Sequence, residues 1–74
     1  MTIQLLSCNA PRPDRRAIQQ AMVAYGFDIS ESLATELTDI LLEGDAVDIG
    51  LIENMSNTAL RLFRKLGIDY EFVD

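Results

Sequence analysis

The side chains able to do chemistry in this chain of 74 residues are nearly all carboxylates and cations: twelve Asp and Glu, six Lys and Arg, one Cys and no His. Zinc sites, proton shuttles and nucleophile relays are mostly built from imidazoles or thiols, so those chemistries have almost no residues to run on. With Cys8 alone, a disulfide within the chain is impossible. Asp28, Ser30 and Ser32 imitate the opening ligands of a calcium loop. The imitation fails at the sixth position, where Leu33 stands in place of the Gly that the sharp turn needs, and at the twelfth, where Asp39 replaces a bidentate Glu. Glu43, Asp45 and Asp48 gather around a turn, but no base, nucleophile or oxyanion donor accompanies them, and solvated acids are the simpler account. Gly26, Gly44, Gly50 and Gly67 are dispersed and form no loop that could cradle phosphate. The expectation is a protein that is not an enzyme and uses no cofactor or metal.

What these charges can do is bind. The formal net charge is -6, and its distribution is uneven: Arg12, Arg15 and Arg16 precede a segment from Ala17 to Leu60 with eight acids and no base, and Arg61, Arg64 and Lys65 follow. An acidic middle repels nucleic-acid phosphate and attracts a basic protein surface, so direct nucleic-acid binding is not expected. Glu36, Asp39, Glu43, Asp45 and Asp48 lie within thirteen residues with no base between them. Their potentials add, which makes them candidates for steering a basic partner. Arg12, Arg15 and Arg16 stand at the start of a helix, where positive charge opposes the dipole at a cost of a few tenths of a kcal/mol each, roughly. Cations placed against that preference point either to a partner or to balancing of the acidic segment within the chain.

The elements that must position these residues follow from periodicity. Ile3 and Leu5 alternate with Thr2 and Gln4 in a first strand over residues 2 to 8, which stops at Asn9, Pro11 and Pro13. From Asp14 the period lengthens, and Ala17, Ile18, Ala21, Met22 and Tyr25 form the stripe of a helix ended by Gly26. Asp28 with Glu31 three residues later predicts the cap of a second helix, whose stripe is Leu33, Leu37, Ile40 and Leu41 with Ala34 alongside. Val47, Ile49 and Leu51 alternate as a second strand. Asn54 or Ser56 is expected to cap a third helix with the stripe Met55, Ala59, Leu62, Phe63 and Leu66, where Arg64 and Lys65 suit the negative end of the dipole. Ile68, Tyr70 and Phe72 alternate with Asp69 and Glu71 in a last strand.

The order β-α-α-β-α-β predicts a two-layer α+β fold, a three-stranded sheet with helices packed on one face. The core is expected to hold Leu5, Ile18, Met22, Leu37, Ile40, Ile49, Leu62, Phe63, Tyr70 and Phe72. The open sheet face should carry Gln4, Asp48, Gly50, Asp69 and Glu71, together with Leu6 and Ile52. Residues 1–74 read as a single domain, which by surface scaling exposes about 4,600 Å² folded against about 12,000 Å² unfolded. A hydrophobic fraction of 49% with 24% charged residues is that of a chain that folds without a partner. No apolar run approaches the ~18 residues of a membrane span. Leu5-Leu6-Ser7-Cys8 imitates a lipoprotein cleavage box without the charged and apolar regions that precede one. A cytoplasmic location is expected, with Cys8 a small buried or half-buried hydrophobe.

Taken together, Leu5-Leu6 closing a first strand, Pro13 opening a helix, Ala34-Thr35 inside the second, and the run from Glu43 to Gly50 leading into the next strand resemble ClpS, the adaptor that hands substrates to the Clp protease. The segment from Gly50 to Phe72 also looks like the end of the ribosomal stalk protein's C-terminal domain, which shares that fold. The resemblance implies a protein or peptide partner, and a Clp-type ATPase as one such partner. It places a peptide pocket at Ser7, Cys8 and Asn9 facing the second helix near Leu41, with Met22 and Leu41 lining a slot for the peptide's first side chain. The family's acidic pair, which grips a free amino terminus, is replaced by Cys8 and Asn9, and its pocket histidine by Leu41.

Two functions are therefore expected. The first is a non-enzymatic interaction module on a ClpS-like scaffold, able to modulate Clp-type proteolysis. The second is a stand-alone acidic inhibitor, of the type carried by phages and mobile elements, whose carboxylates imitate phosphates on a basic nucleic-acid-binding protein.

Overall fold

The computed structural model describes residues 1–73, and the order of elements is the expected one: β1 (Thr2–Cys8), α1 (Arg15–Tyr25), α2 (Glu31–Leu42), β2 (Val47–Gly50), α3 (Ser56–Lys65) and β3 (Ile68–Phe72). A 3-10 turn at Glu53–Met55 leads into α3. The fold is α+β with one antiparallel sheet in the order β2-β1-β3, so the first strand lies in the middle. Ile3 pairs with Ile49 on one side and Phe72 on the other, and Gln4 pairs with Asp48 and Glu71. Ile3, Leu5, Val47, Ile49 and Ile68 are buried under the helices, while Gln4, Asp48, Asp69 and Glu71 project from the face that, among the described residues, no helix covers. α2 lies against β1 and β2, α3 lies against β3, and α1 packs on α2 and α3. The accessible surface of 4763 Å² is what scaling expects of one small domain.

Between Leu5 and Ser7 the register of β1 against β3 shifts. Leu5 pairs with Tyr70 and Ser7 with Asp69, so two residues of β1 span one step of β3, a bulge. The extra residue reverses the alternation, and Cys8 then turns to the same side as Leu5, opposite the buried Ile68.

Helix starts differ in part from expectation. α1 begins behind Asp14, whose carboxylate accepts from the Ala17 amide at 3.1 Å, leaving Pro13 just outside the helix. α2 is capped by Ser30, with Oγ accepting from the Leu33 amide at 3.2 Å, and Asp28 is not the cap. Asp28 instead holds the tight turn before it, at a φ of 59°, a left-handed conformation that Asp tolerates better than most residues. Neither Asn54 nor Ser56 caps α3. The 3-10 turn supplies its entry, and Ser56 donates from Oγ to the Ile52 carbonyl at 3.2 Å.

Phe63, Ile3, Leu5, Ile18, Met22 and Leu41 are the largest fully buried apolar side chains, accompanied by Thr38. The expected core is corrected at Ile40, which is exposed at 39%, and at Phe72, exposed at 60%; Leu37, Leu62 and Tyr70 sit half-buried at its rim. Leu33 and Met55, expected in helix stripes, are also exposed. In α2 the buried stripe is Ala34, Thr38 and Leu41, rotated from the one that apolar residues alone define. Thr38 can be buried because its hydroxyl donates to the Ala34 carbonyl at 2.7 Å, which satisfies the polar group inside the helix.

Candidate functional site

At the end of β1, Ser7, Cys8 and Asn9 turn toward the junction of α3 and β3. The Asn9 amide donates to the Gly67 carbonyl at 2.7 Å, its side-chain amide donates to the Asp69 carboxylate, and the Cys8 thiol points at the Leu66 carbonyl, 3.7 Å away. Gly67 permits this approach: its φ is 84°, and a Cβ there would stand 2.9 Å from the Ala10 amide nitrogen. The slot expected beside this loop is not open. Met22 is 0% and Leu41 1% exposed, and Thr38 Oγ1 lies 3.6 Å from the Met22 sulfur, so both side chains belong to the core and present no surface to a peptide.

The cations before the acidic segment divide. Arg15, in the first turn of α1, forms an ion pair with Asp39 of α2, so one cation set against the helix dipole is balanced within the chain. Both side chains are about half exposed, at 52% and 43%, which limits the pair to about 1 kcal/mol or less. Arg12 and Arg16 are exposed; Arg16 stands on the rim of an open groove between α1 and α2 that Val23 and Glu31 also line.

The five candidate acids do not form one cluster. Glu36 and Asp39 on α2 and Glu43 at its C-terminal cap follow one another at spacings of three and four, which places them on one stripe, and Asp45 sits in the turn that follows. Asp48 is carried by β2 to the far side of the sheet. There it meets residues that sequence reasoning had placed on the open face without making them part of a site. Asp48, Gln4 and Glu71 are cross-strand neighbours in a single row, with Asp69 following along β3, and the two outer carboxylates stand two strand spacings apart, about 9.5 Å between backbones. The bases lie elsewhere: Arg12, Arg15 and Arg16 around the start of α1, and Arg61, Arg64 and Lys65 on α3 in the helix layer. The alternation of Asp69 and Glu71 with Ile68, Tyr70 and Phe72 was the signal for this face.

Two aromatic residues are exposed at the margins of the sheet. Phe27, exposed at 71%, follows α1 and donates its amide to the Gly50 carbonyl at 2.8 Å; Phe72 ends β3 with its ring edge-on to Tyr70 at 6.0 Å. Phe27 went unassigned in the sequence because it belongs to no periodic stripe. Among the described residues no group of three or more His, Cys, Asp or Glu is placed to hold a metal ion, and no helix is long and apolar enough to cross a membrane.

The chain matches no protein-family model, no curated protein and no solved structure. A fold alone does not specify a function.

Proposed function

We propose that the protein is a cytoplasmic, non-enzymatic interaction module that docks a basic protein surface on the outer face of its sheet. The observation that carries this reading is the row Asp48, Gln4 and Glu71, extended by Asp69, on the sheet face opposite the helices, from which the bases are segregated. Carboxylates fixed on a sheet lose little freedom on binding, and their summed field steers an oppositely charged partner at short range. The element order supports a ClpS-like scaffold, and a Clp-type ATPase is the partner class which that likeness suggests. Capture of a peptide's amino terminus is not part of the proposal, because Met22 and Leu41 are buried and the Asn9 side chain is engaged by Asp69.

The test begins with capture of partners from the native host's lysate and their identification by mass spectrometry. Association of the purified partner is then followed over a range of ionic strength for the wild-type chain, for Asp48→Asn with Glu71→Gln, and for Asp39→Asn, Glu43→Gln and Asp45→Asn together. Slower association and a flatter salt dependence are expected for the sheet-face variant. Unchanged kinetics in that variant would refute the proposed face, and a loss confined to the triple variant would move the site to α2 and its following turn.

Segregation of charge also favours a second reading, an inhibitor that imitates nucleic acid on a basic target. Duplex DNA competing for the captured partner would support it; simultaneous binding of DNA and this chain would remove it.

A further inference from the structure

The two edges of the sheet are not equivalent. Along β2 the segment after α1 closes part of the edge: Gly26 bridges to Leu51, the Phe27 amide takes the Gly50 carbonyl at 2.8 Å, and the Ile52 amide takes the Tyr25 carbonyl at 3.0 Å. Along β3, among the described residues, no strand lies outside. The Val73 amide donates to the Thr2 carbonyl at 3.2 Å and the Asn9 amide to the Gly67 carbonyl at 2.7 Å, which directs Gly67, Asp69, Glu71 and Val73 inward to β1. By the alternation of an antiparallel ladder, the N–H and C=O groups of Tyr70 and Phe72 face out of the sheet.

We infer that β3 accepts an added antiparallel strand, an extended segment of a partner protein in which apolar and basic residues alternate. Unpaired edge groups are a template for such pairing, and natural edges are often guarded by charge. Here the guard is one-sided. A second copy of β3 aligned antiparallel about Tyr70 would set Asp69 against the copy's Glu71, and like charges directly opposite are destabilising, so self-pairing is disfavoured. A segment with Lys or Arg on the outer side meets Asp69 and Glu71 instead. On the inner side its apolar residues meet Tyr70 and the exposed Phe72, beside a hollow of about 330 Å³ lined by Leu60, Arg61, Arg64 and Tyr70. Arg64 donates to the Tyr70 hydroxyl at 3.2 Å and lies over its ring, which holds that ring in place. This inference rests on the proposed acidic interaction module and names the form its partner takes.

The probe is an end-blocked heptapeptide of alternating Val and Lys, titrated into the intact chain by calorimetry. In an added strand the residues opposite Tyr70 and Phe72 are the Val residues, so their amides face β3 and those of Lys face solvent. N-methylation of the Val amides should weaken binding by about tenfold or more, the effect of losing about two hydrogen bonds, and methylation of the Lys amides should leave it nearly unchanged. Glu71→Lys should weaken the Val/Lys peptide about threefold or more and improve binding of a Val/Glu peptide. Val/Lys binding that ignores which amides are methylated, yet weakens in the Asp48→Asn, Glu71→Gln variant, would overturn strand addition and leave the acidic-face reading standing. Absence of peptide binding by a chain that still captures a basic partner would overturn strand addition alone. A wild-type dimer in sedimentation that Glu71→Lys tightens, by setting the introduced ammonium against the copy's Asp69, would also overturn it, by showing that the edge takes a second copy.

Discussion

Arg15 in the first turn of α1 pairs with Asp39 on α2, joining a cation that opposes its own helix dipole to a carboxylate from the acidic segment. The pair ties together two helices and withdraws Asp39 from the acids open to a partner. Its contribution should be small, because both groups remain about half in water. A double-mutant cycle of Arg15→Gln and Asp39→Asn, read by urea denaturation, should give a coupling of about 0.2 to 1 kcal/mol that shrinks as salt is added. A coupling well above that range, insensitive to salt, would mean that the pair is shielded from solvent.

Stability should depend on Phe63 far more than on the apolar side chains that turned outward. Phe63 is wholly buried, and Phe63→Ala should cost about 3 to 5 kcal/mol, a large share of what a domain of this size holds. Ile40→Ala and Phe72→Ala, at exposed positions, should each cost about 1 kcal/mol or less. Denaturant midpoints for the three variants check the ranking; an unchanged midpoint for Phe63→Ala would contradict the core described here.

The cap of α2 gives a sharper contrast. Ser30→Ala removes the oxygen that accepts from the Leu33 amide and should cost about 1 kcal/mol, a fall of about 4 to 8 °C in Tm. Asp28→Gly relieves a left-handed residue of its Cβ and should leave Tm unchanged or raise it. The opposite order of effects would return the cap to Asp28.

Peptides beginning with a large hydrophobic residue should bind only weakly. The side chains Met22 and Leu41 are buried, and at the end of β1 the amide Asn9, in place of a carboxylate, is what a free amino terminus would meet. Losing one charge-assisted bond removes about 1.5 to 3 kcal/mol, so a Phe-initiated peptide should show a Kd above about 100 μM by calorimetry. Micromolar affinity abolished by Asn9→Ala would reinstate a working amino-terminal pocket.

Much of this architecture was legible in the residues themselves. A period of two in Ile3 and Leu5, in Val47, Ile49 and Leu51, and in Ile68, Tyr70 and Phe72 marked three strands, although Phe72 at the end of the last one is exposed. A period near 3.6 marked three helices, and Gly26 and Gly67 marked where two of them end. Such patterns survive in one dimension because each depends only on which side of its own element a residue occupies. The rotation of α2 did not, since apolarity favoured Leu33, Leu37 and Ile40 together with Leu41 and Ala34, whereas packing kept Leu41 and Ala34 and added Thr38, which is made acceptable by its bond to a carbonyl four residues earlier. The bulge at Leu6 and Ser7, which turns Cys8 inward, likewise arises only when β1 is matched against β3. The candidate site is the plainest case. Asp48 and Glu71 belong to different strands and never appear together in the chain, and they share a row because β1 lies between β2 and β3 with Gln4 in register to both. Strand order and register are set by long-range hydrogen bonding and burial of the other sheet face, so the alternation in each strand determined that its acids would face outward, and the assembled sheet decided which of them would stand side by side.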